Sequence, residues 1–481
     1  MKPIRRISSA ILVPTLLMFS GCAVLSPTNP YRPVTPQLRF ETHGNQPSPQ
    51  TAAAPQDFGD LGLSEAVAIA LDNNPEVAAT GYDAVAAQAR KDGAWGAMLP
   101  SLSAEGAYTR HLDDQRLLPA RYNGESGVLS DTIYSGDLVV RMPLFAGGRL
   151  INEARAAKLL SQAAQHRLGR TREELVYNVT SVFYNILAQE QPIESLAFSR
   201  EALDSHLNRV NELIAAQKAA NVDRLRMEVR LADVQQKIVV ERNTLAIQKQ
   251  LLMNLMGVEA TSRTLGLQGT LDESTPRSLS QEEGVATAFT NRPDYLTARK
   301  ELEAQAKRVD VARGAHSPTV GLFGAYGGCW ASDPTEQLDA EGQVLSGDNP
   351  EDAGRVGIGI EIPLFQGGLI RARVKEERAK LAAAHERLHK QELQIRLEVE
   401  TAILNFGSAF ERVQTLRKSV EQAEESLRIE RQKYELGKGG IVDVLDAQAA
   451  MLEAETNYHR ALAEVHIARA QIELATGETT E

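Results

Sequence analysis

The sequence MPLFAGGRL, at residues Met142–Leu150, recurs as IPLFQGGLI at residues Ile362–Ile370, 220 positions later in a chain of 481 residues. Each copy follows a short stretch of alternating apolar residues and precedes a long, charged, helix-like stretch. Proline donates no backbone hydrogen bond, and glycine adopts backbone conformations that other residues avoid. The motif therefore predicts a place where a β-strand ends and a long helix begins, and the chain contains it twice.

Six residues of this motif are predicted to form the two strand-to-helix junctions. They are Pro143, Gly147, Gly148, Pro363, Gly367 and Gly368. We expect each proline to end the hydrogen-bonded ladder of its strand, since it lacks the amide proton. We expect each glycine pair to turn the backbone from sheet into helix.

Other parts of the chain repeat at nearly the same spacing. Residues 71–108 resemble residues 289–326 at an offset of 218. A period of this length is far too long for a solenoid and indicates two copies of a domain-sized unit. We assign the first structural repeat to residues 61–270 and the second to residues 271–481.

Strand-like alternation follows a helix-stopping proline in each repeat. The predicted strands cover about residues 101–110 and 135–145 in the first repeat, and about 319–327 and 354–364 in the second. About ten residues suffice for a tilted strand to cross an outer membrane. One apolar and one charged face suit lipid on one side and water on the other. A half-buried hairpin of a soluble protein would show the same alternation.

Four strands are too few to close a barrel, because the smallest membrane barrels have about eight. Every backbone group in lipid must also be paired, which forbids open sheet edges there. If the strands cross a membrane, other copies of the chain must complete the sheet. The alternation therefore predicts an obligate oligomer.

A long helix is predicted between Gly368 and Gly437, where the chain has no proline. Apolar residues recur seven apart from Val374 to Ala423, and a second series follows the first by four residues. About 70 helical residues span on the order of 100 Å, a length suited to crossing a periplasm. The helices alone would equally describe a rod or an adaptor hairpin.

The amino terminus is expected to direct export. Residues 1–21 have a basic head and an apolar run, as in a signal peptide, and the run ends in FSGC. A cysteine at this point is typical of a bacterial lipoprotein, so we expect Cys22 to be lipidated. The alternative is a plain secretory signal with an incidental cysteine. Residues 22–60 then form a lipid-anchored extended leader, rich in Pro, Thr, Gln, Ala and Ser.

The charge and composition narrow the classes of function. Removing residues 1–21 leaves 49 basic and 63 acidic residues, a net charge of −14 against −11 for the whole chain. That charge argues against nucleic acid as a partner. His385 and His389 have a spacing that can bind metal, but they lie on a charged, exposed face. We predict no metal site, no cofactor and no enzymatic activity.

The turns between the long and the following helices are predicted at Ala215–Asp223 and Gly437–Asp443. Asp443 and Asp446 lie on one face of the second of these helices, three residues apart. Acids near a helix N-terminus stabilise the helix dipole, and this explains them without any further function. Acids that converge from several subunits at a constriction would instead form a cation-selective ring.

The duplicated units, the PLF.GG motif and the pattern Y..G.....DVL.A resemble the TolC-like outer-membrane efflux channels over residues 61–477. The cysteine after the signal is similar to that of the OprM-type lipoprotein branch. The resemblance implies a mostly α fold with a small β part, built from duplicated helix-strand-strand-helix units. Three chains, with four strands each, would form a trimeric 12-stranded β-barrel continuous with a long periplasmic α-helical barrel.

The resemblance also implies partners and a function. The protein would be a homotrimer in outer-membrane lipid, anchored by Cys22 and extending into the periplasm. It would engage a periplasmic adaptor, or membrane fusion protein, and an inner-membrane pump of the RND, ABC or MFS type. The implied function is the exit duct of a tripartite efflux system for small molecules. Type I protein secretion is one alternative, and a structural coiled-coil lipoprotein or adaptor without a pore is another.

By similarity, Asp443, Asp446 and Tyr434 are assigned to a periplasmic gate. Arg226 occupies the position equivalent to Asp446 in the first repeat, so the two copies are not interchangeable. A further set of residues at the two helical turns is expected to contact the adaptor: Gln217, Asn221, Asp223, Gly437 and Gly440.

Overall fold

The computed structural model describes residues 61–116, 129–217, 220–258, 265–272, 279–331, 337–338, 344–345 and 351–478. The predictions of a signal peptide at residues 1–21, of lipidation at Cys22 and of a leader at residues 22–60 lie outside the described residues. The chain is mostly helical with one small antiparallel sheet, as the sequence predicted.

The same six elements occur twice in the same order: two helices, two strands, a very long helix and a shorter one. The first set is α1 (Leu63–Asn73), α2 (Pro75–Gly96), β1 (Ser101–Arg116), β2 (Leu129–Ala146), α3 (Arg149–Ala215) and α4 (Asn221–Leu255). The second is α5 (Gln281–Asn291), α6 (Pro293–Gly314), β3 (Thr319–Ala331), β6 (Glu351–Glu361), α7 (Leu369–Glu435) and α8 (Ile441–Thr476). A small hairpin separates β3 from β6: β4 (Gln337–Leu338) and β5 (Val344–Leu345).

The first helix of each set stops at a residue that precedes proline. Asn74 and Arg292 have extended backbones because proline Cδ disfavours the α conformation of the preceding residue. The Asn74 side-chain oxygen accepts a hydrogen bond of 2.8 Å from the amide of Glu76 and so caps α2. Each repeat therefore begins with two helices, one more than the sequence pattern had indicated.

The four long strands form one sheet in the order β1-β2-β3-β6, and all neighbours are antiparallel. All four strands extend beyond one predicted limit, at 110, 135, 327 and 354, because backbone pairing continues through polar residues that break the apolar alternation. β6 begins at Glu351 and ends at Glu361, before the predicted limit of 364. Parts of the chain between the predicted strands of each repeat are thus strand as well.

The expectation that Pro143 ends the ladder is wrong. β2 continues to Ala146, which lies opposite Thr319, with a change of register between Pro143 and Phe145. The first residue of β1, Ser101, lies opposite Arg141, so beyond that point β2 is paired with β3 alone. A proline and an irregular register are tolerated where a strand has a neighbour on one side only. The equivalent β6 stops two residues before Pro363.

The two 67-residue helices have different surroundings. α3 packs against α1, α2 and α4 of its own repeat, and against α6 and α8 of the other. α7 packs against α5, α6 and α8, all from its own repeat. α3 is therefore covered by helices of both repeats, whereas α7 is covered by helices of its own repeat. None of the helices in the described parts of the chain is long and apolar enough to span a membrane.

A buried ionic cluster connects three helices of the second repeat, α6, α7 and α8. Arg292 is 1% exposed, donates to both Asp294 oxygens at 3.0 and 2.7 Å, and lies 2.7 Å from Glu398. It also donates to the carbonyl of Ala475 at the end of α8. Burial opposes ionisation of Asp294, but the Arg292 hydrogen bonds hold its pKa below the ordinary value. Arg292 thus fastens α8 to the start of α6.

A second carboxylate near this cluster is less well satisfied. Burial raises the pKa of Glu173 to about 7, against the attraction of Arg170, whose guanidinium lies 3.7 Å away. Within the described residues the Oε2 atom of Glu173 is buried and has no hydrogen-bond partner. Because the charged form is poorly solvated, Glu173 destabilises the folded chain when it ionises.

Candidate functional site

The strand register puts most of the large apolar residues of the sheet on one face, while Phe323, opposite Arg141, lies on the other. Leu138 lies opposite Ala104 on one side and Tyr326 on the other, and Leu322 lies opposite both Met142 and Ile358. Many of these side chains are exposed, including Leu102, Tyr108, Leu138, Val140, Tyr326, Val356, Ile358 and Ile360. An exposed apolar face of this size is typical of a surface that contacts lipid or another protein.

The other face of the same sheet is polar. Arg141 on β2 forms an ion pair of 2.6 Å with Glu105 on β1. Asp137, Arg355 and Glu361 alternate with apolar-face residues and so lie on this side as well. The sheet therefore has one mainly apolar face and one mainly polar face.

Both strand-to-helix junctions use left-handed glycines. The backbone φ is 61° at Gly147 and 76° at Gly148, and it is 59° at Gly367 and 83° at Gly368. These conformations are strained for residues with a side chain, so the glycine pair is what lets the chain turn. Gly148 and Gly368 are the N-caps of α3 and α7.

The two junctions differ in their surroundings. A Cβ atom added to Gly147 would overlap the Gly314 carbonyl oxygen and the Ser317 side chain, at the end of α6. One added to Gly367 would meet no atom within 4 Å. The first junction is thus packed against the second repeat, and the second junction is open.

At the far ends of the long helices the chain reverses through two equivalent turns. Gly437 has φ 68°, and Gln217, at the same position in the first repeat, has φ 57°. Gln217 is the one non-glycine residue with positive φ in the described parts of the chain. Asn221 begins α4, and Gly440 is the N-cap of α8. The predicted adaptor-contact residues therefore cluster at the two reversals.

Asp443 has a local structural role. Its Oδ2 atom accepts a hydrogen bond of 3.1 Å from the amide of Gly440, in the first turn of α8. An acid at this place satisfies a free backbone donor and complements the helix dipole. The side chain is nevertheless exposed, as is that of Asp446 one turn later.

Asp446 is paired with the first repeat. Its Oδ1 atom lies 3.9 Å from Arg230 on α4, and Arg230 also donates to the Leu445 carbonyl. Arg230 was not among the predicted site residues. The signal for it in the sequence is a cation at Arg226 and again at Arg230, where the second repeat has Asp446 and Ala450. Asp223 and Arg226 form a pair of their own, also at 3.9 Å.

Tyr434 lies near the end of α7 and is partly buried. It packs against an apolar cluster of residues from α3, α4 and α8: Leu196, Leu203, Met227, Val234, Ile238, Ile441, Val444 and Leu445. This cluster brings both repeats together just above the turns. Within the described residues no group of three or more His, Cys, Asp or Glu side chains is arranged to hold a metal ion.

Comparison with known proteins adds to this picture. The outer membrane efflux protein family matches residues 66–258 and 285–478, one segment for each half of the chain. The chain is 22% identical to the outer membrane protein TolC of Escherichia coli K12, over 85% of this chain and 80% of that protein. It is 25% identical to the probable efflux pump outer membrane protein SepC of Pseudomonas putida, over 83% and 80%. The solved structure of the outer-membrane channel OprN superposes with a TM-score of 0.72 and 21% identity, over 91% of this chain and 98% of that one.

Proposed function

The chain belongs to the outer membrane efflux protein family, and from this premise we propose how its surfaces work as the exit duct of a tripartite efflux system. Three copies form a homotrimer, and their sheets close on one another around a water-filled opening. A periplasmic adaptor and an inner-membrane pump of the RND, ABC or MFS type deliver small molecules to it. The protein is a channel with no chemical step of its own.

One observation carries this proposal. A sheet with an apolar and a polar face runs directly into two 67-residue helices, and it does so at two equivalent glycine pairs. In this arrangement the apolar face meets lipid and the polar face, with Glu105 and Arg141, meets water. A structural coiled-coil lipoprotein or an adaptor would need no such sheet.

The remaining assignments follow from the same scheme. Residues 61–270 and 271–481 are the two structural repeats, and each contributes two strands and one long helix. Asp443, Asp446 and Tyr434 line the periplasmic gate, and the turns around Gln217 and Gly437 receive the adaptor. Support comes from the position of all these residues at one end of the long helices.

The sheet faces provide a direct test with two neighbouring positions on β6. Ile358→Arg places a charge on the apolar face, which costs about 2–4 kcal/mol at the midplane of a bilayer. Gly359→Arg, the matched control, places the same charge on the polar face, where an added Cβ atom meets nothing within 4 Å. We expect Ile358→Arg to reduce the amount of trimer in outer-membrane fractions. Gly359→Arg should assemble normally and lower the single-channel conductance in planar bilayers. Equal assembly of both variants would contradict the proposal.

Transport is tested in cells. Deletion of the gene should increase sensitivity to small toxic compounds, and the full-length chain should restore resistance only together with the adaptor and pump that serve it. Restoration of protein secretion without restored drug resistance would instead support type I secretion.

Lipid attachment at Cys22 has its own test. Labelled palmitate should be incorporated into the full-length protein and not into a Cys22→Ser variant. Equal labelling of the two proteins would overturn the assignment. Outer-membrane location of the variant, measured in the same fractions, separates the role of the anchor from that of the sheet.

A further inference from the structure

One large aromatic side chain lies on the polar face of the sheet. Phe323 on β3 is opposite Arg141 on β2 and Gly357 on β6, and its side chain is 40% exposed. A Cβ atom added to Gly357 would lie 2.7 Å from the Cζ atom of this ring. The ring therefore leans across β6, into the space that a side chain at residue 357 would occupy. The rest of its surface is open to solvent.

The sheet beside this ring carries almost no side chains. Gly321 on β3 and Gly359 on β6 are opposite each other on the same face, one step closer to the long helices. Neither of them has a positive φ, and nor does Gly357, so no turn of the backbone requires glycine there. Gly321, Gly359 and Phe323 line a depression of about 630 Å³ at the helical end of the sheet. That volume is within the range of small-molecule sites.

The charged side chains nearest to the ring are cations. Arg141 is directly opposite it, and Arg355 precedes Gly357 by two residues on β6, about 7 Å along the strand. Arg141 is paired with Glu105, and the charge of Arg355 also acts on that carboxylate. Arg355 is exposed and has no ion-pair partner within the described residues. Its guanidinium is thus available to a carboxylate from solution.

The other acids of this face are farther from the ring. Asp137 is opposite Gly327, and Glu361 is opposite Thr319. Each of these two places is four residues along β3 from Phe323, which is about 13 Å. A negatively charged group beside the ring would therefore lie closer to Arg355 than to either carboxylate.

The first repeat has a different surface at the equivalent place. Glu105 stands where the second repeat has Phe323, and Asp137 stands where it has Gly357. β1 and β2 nevertheless pair in the same antiparallel manner as β3 and β6. The hairpin therefore forms without an aromatic ring and without bare backbone beside it, so these features need a reason other than the fold.

We propose that Phe323, the glycine-lined depression beside it and Arg355 form a binding site for planar aromatic anions, such as aromatic carboxylates, that pass through the channel. The inference rests on the proposed exit duct, in which this face meets water, and it names a class of substrate. The ring of the ligand stacks against Phe323 above Gly321 and Gly359, where bare backbone leaves room for it. Its carboxylate accepts hydrogen bonds from the Arg355 guanidinium. Binding is weak, because a site in a conduction path must also release what it binds.

Block of the channel current tests the ligand class. The full-length protein in planar bilayers is titrated with three probes. 9-Anthracenecarboxylate has the proposed chemistry, 1-adamantanecarboxylate has the same charge on a bulky group that is not planar, and 9-(aminomethyl)anthracene has the same ring with the opposite charge. We expect 9-anthracenecarboxylate to block at the lowest concentration. Equal block by either of the other probes would overturn the inference.

Substitutions at the two side chains locate the site. Phe323→Leu retains apolar bulk and should weaken block by 9-anthracenecarboxylate about two- to tenfold, the contribution of an aromatic pair. Phe323→Tyr retains the ring and should block as the parent chain does. Arg355→Gln should weaken block about two- to fivefold, as expected for an exposed ion pair, and Arg355→Lys should weaken it less. Unchanged block in both Phe323→Leu and Arg355→Gln would place the binding of the probe elsewhere.

Binding can also be measured without current. The chain has two tryptophans, Trp95 and Trp330. Phe323→Trp, combined with Trp95→Phe and Trp330→Phe, leaves one tryptophan at the proposed site. In the detergent-solubilised protein, 9-anthracenecarboxylate should quench its fluorescence by energy transfer in a saturable way, and 1-adamantanecarboxylate should not compete. Quenching that rises linearly without saturation would refute the site.

Failure of this inference and failure of the proposed function give different results. A chain that conducts but is blocked equally by all three probes retains the function of an exit duct and lacks the site. A full-length chain that forms no conducting pore would contradict the exit duct itself. The tryptophan titration would then still decide whether the site binds an aromatic anion.

Discussion

The Arg230 guanidinium lies 3.9 Å from the Asp446 carboxylate, and this pair links α4 of the first repeat to the first turns of α8 in the second. Two positions that are equivalent by the internal repeat, Arg226 and Asp446, carry opposite charges. The helical turns therefore present a cation from one repeat to an anion from the other. Asp446 remains largely exposed, so the pair leaves part of its negative charge directed to water.

The first prediction concerns conductance at this end of the molecule. Asp443→Ala combined with Asp446→Ala should raise single-channel conductance or weaken block by divalent cations, because three subunits would lose six acids from the constriction. Arg230→Ala is the matched opposite change and should strengthen cation block, since it leaves Asp446 unpaired. Planar-bilayer recordings measure both effects. If neither variant changes conductance or block, the acids serve the helix N-terminus alone.

The second prediction concerns the buried ionic cluster. Arg292→Ala leaves Asp294 and Glu398 without their counter-ion, and loss of one partner from a buried pair costs about 3–5 kcal/mol. The exposed pair of Arg167 and Glu301 contributes at most about 1 kcal/mol, which makes Arg167→Ala the control. Thermal unfolding of the detergent-solubilised protein should show a large loss for the first variant and a small one for the second. Similar losses would mean that Arg292 is better hydrated than its burial indicates.

The third prediction is a pH dependence at Glu173. Its pKa in the folded chain is raised from 4.5 to about 7, so the folded state binds more protons than the unfolded state between these pH values. Stability on this account is greatest below pH 4.5 and falls by roughly 3 kcal/mol as the pH rises from 4.5 to 7.

Glu173→Gln removes the titrating group while keeping its shape. The variant should therefore be more stable than the parent chain at pH 8, and this advantage should shrink as the pH is lowered to 5. Melting temperatures across this range provide the measurement, with Glu174→Gln, a more exposed neighbour, as control. An advantage that is the same at pH 5 and pH 8 would rule out the burial of a charged Glu173 as its cause.

The fourth prediction separates the two glycines of the first junction. Gly148→Ala meets only Asn152 at an ordinary contact distance and costs the strain of a left-handed backbone, about 1–2 kcal/mol. Gly147→Ala has the same strain and also overlaps the Gly314 carbonyl. We expect Gly147→Ala to reduce the yield of folded protein much more than Gly148→Ala. Comparable yields would show that α6 can move away from the junction.

The regular parts of this fold could be read from the sequence because they depend on periodicity. Alternation located the four strands, heptads located α7, and the repeated glycine pairs marked the turns into helix. These are local signals, in which neighbouring residues carry the information. Their spacing also predicted the duplication.

Features that depend on distant residues were missed. Pro143 remains within a strand because β1 begins opposite Arg141 and leaves that part of β2 paired on one side only, and Gln217 adopts a left-handed backbone that its residue type does not indicate. Arg230 lies 216 residues from its partner Asp446, and no pattern within one repeat connects them. The gate and adaptor roles stay predictions, since the first depends on other subunits of the proposed trimer and the second on a separate protein.

The equal length of α3 and α7 limits how the molecule can change in size. Both helices run for 67 residues between a glycine pair and a reversing turn, so the two turns lie at the same distance from the sheet along their helices. Deleting a heptad from α3 alone would draw one turn back by about 10 Å and leave the other in place. Natural or engineered shortening must therefore remove matching lengths from both repeats, and relatives with shorter ducts should carry their deletions in pairs.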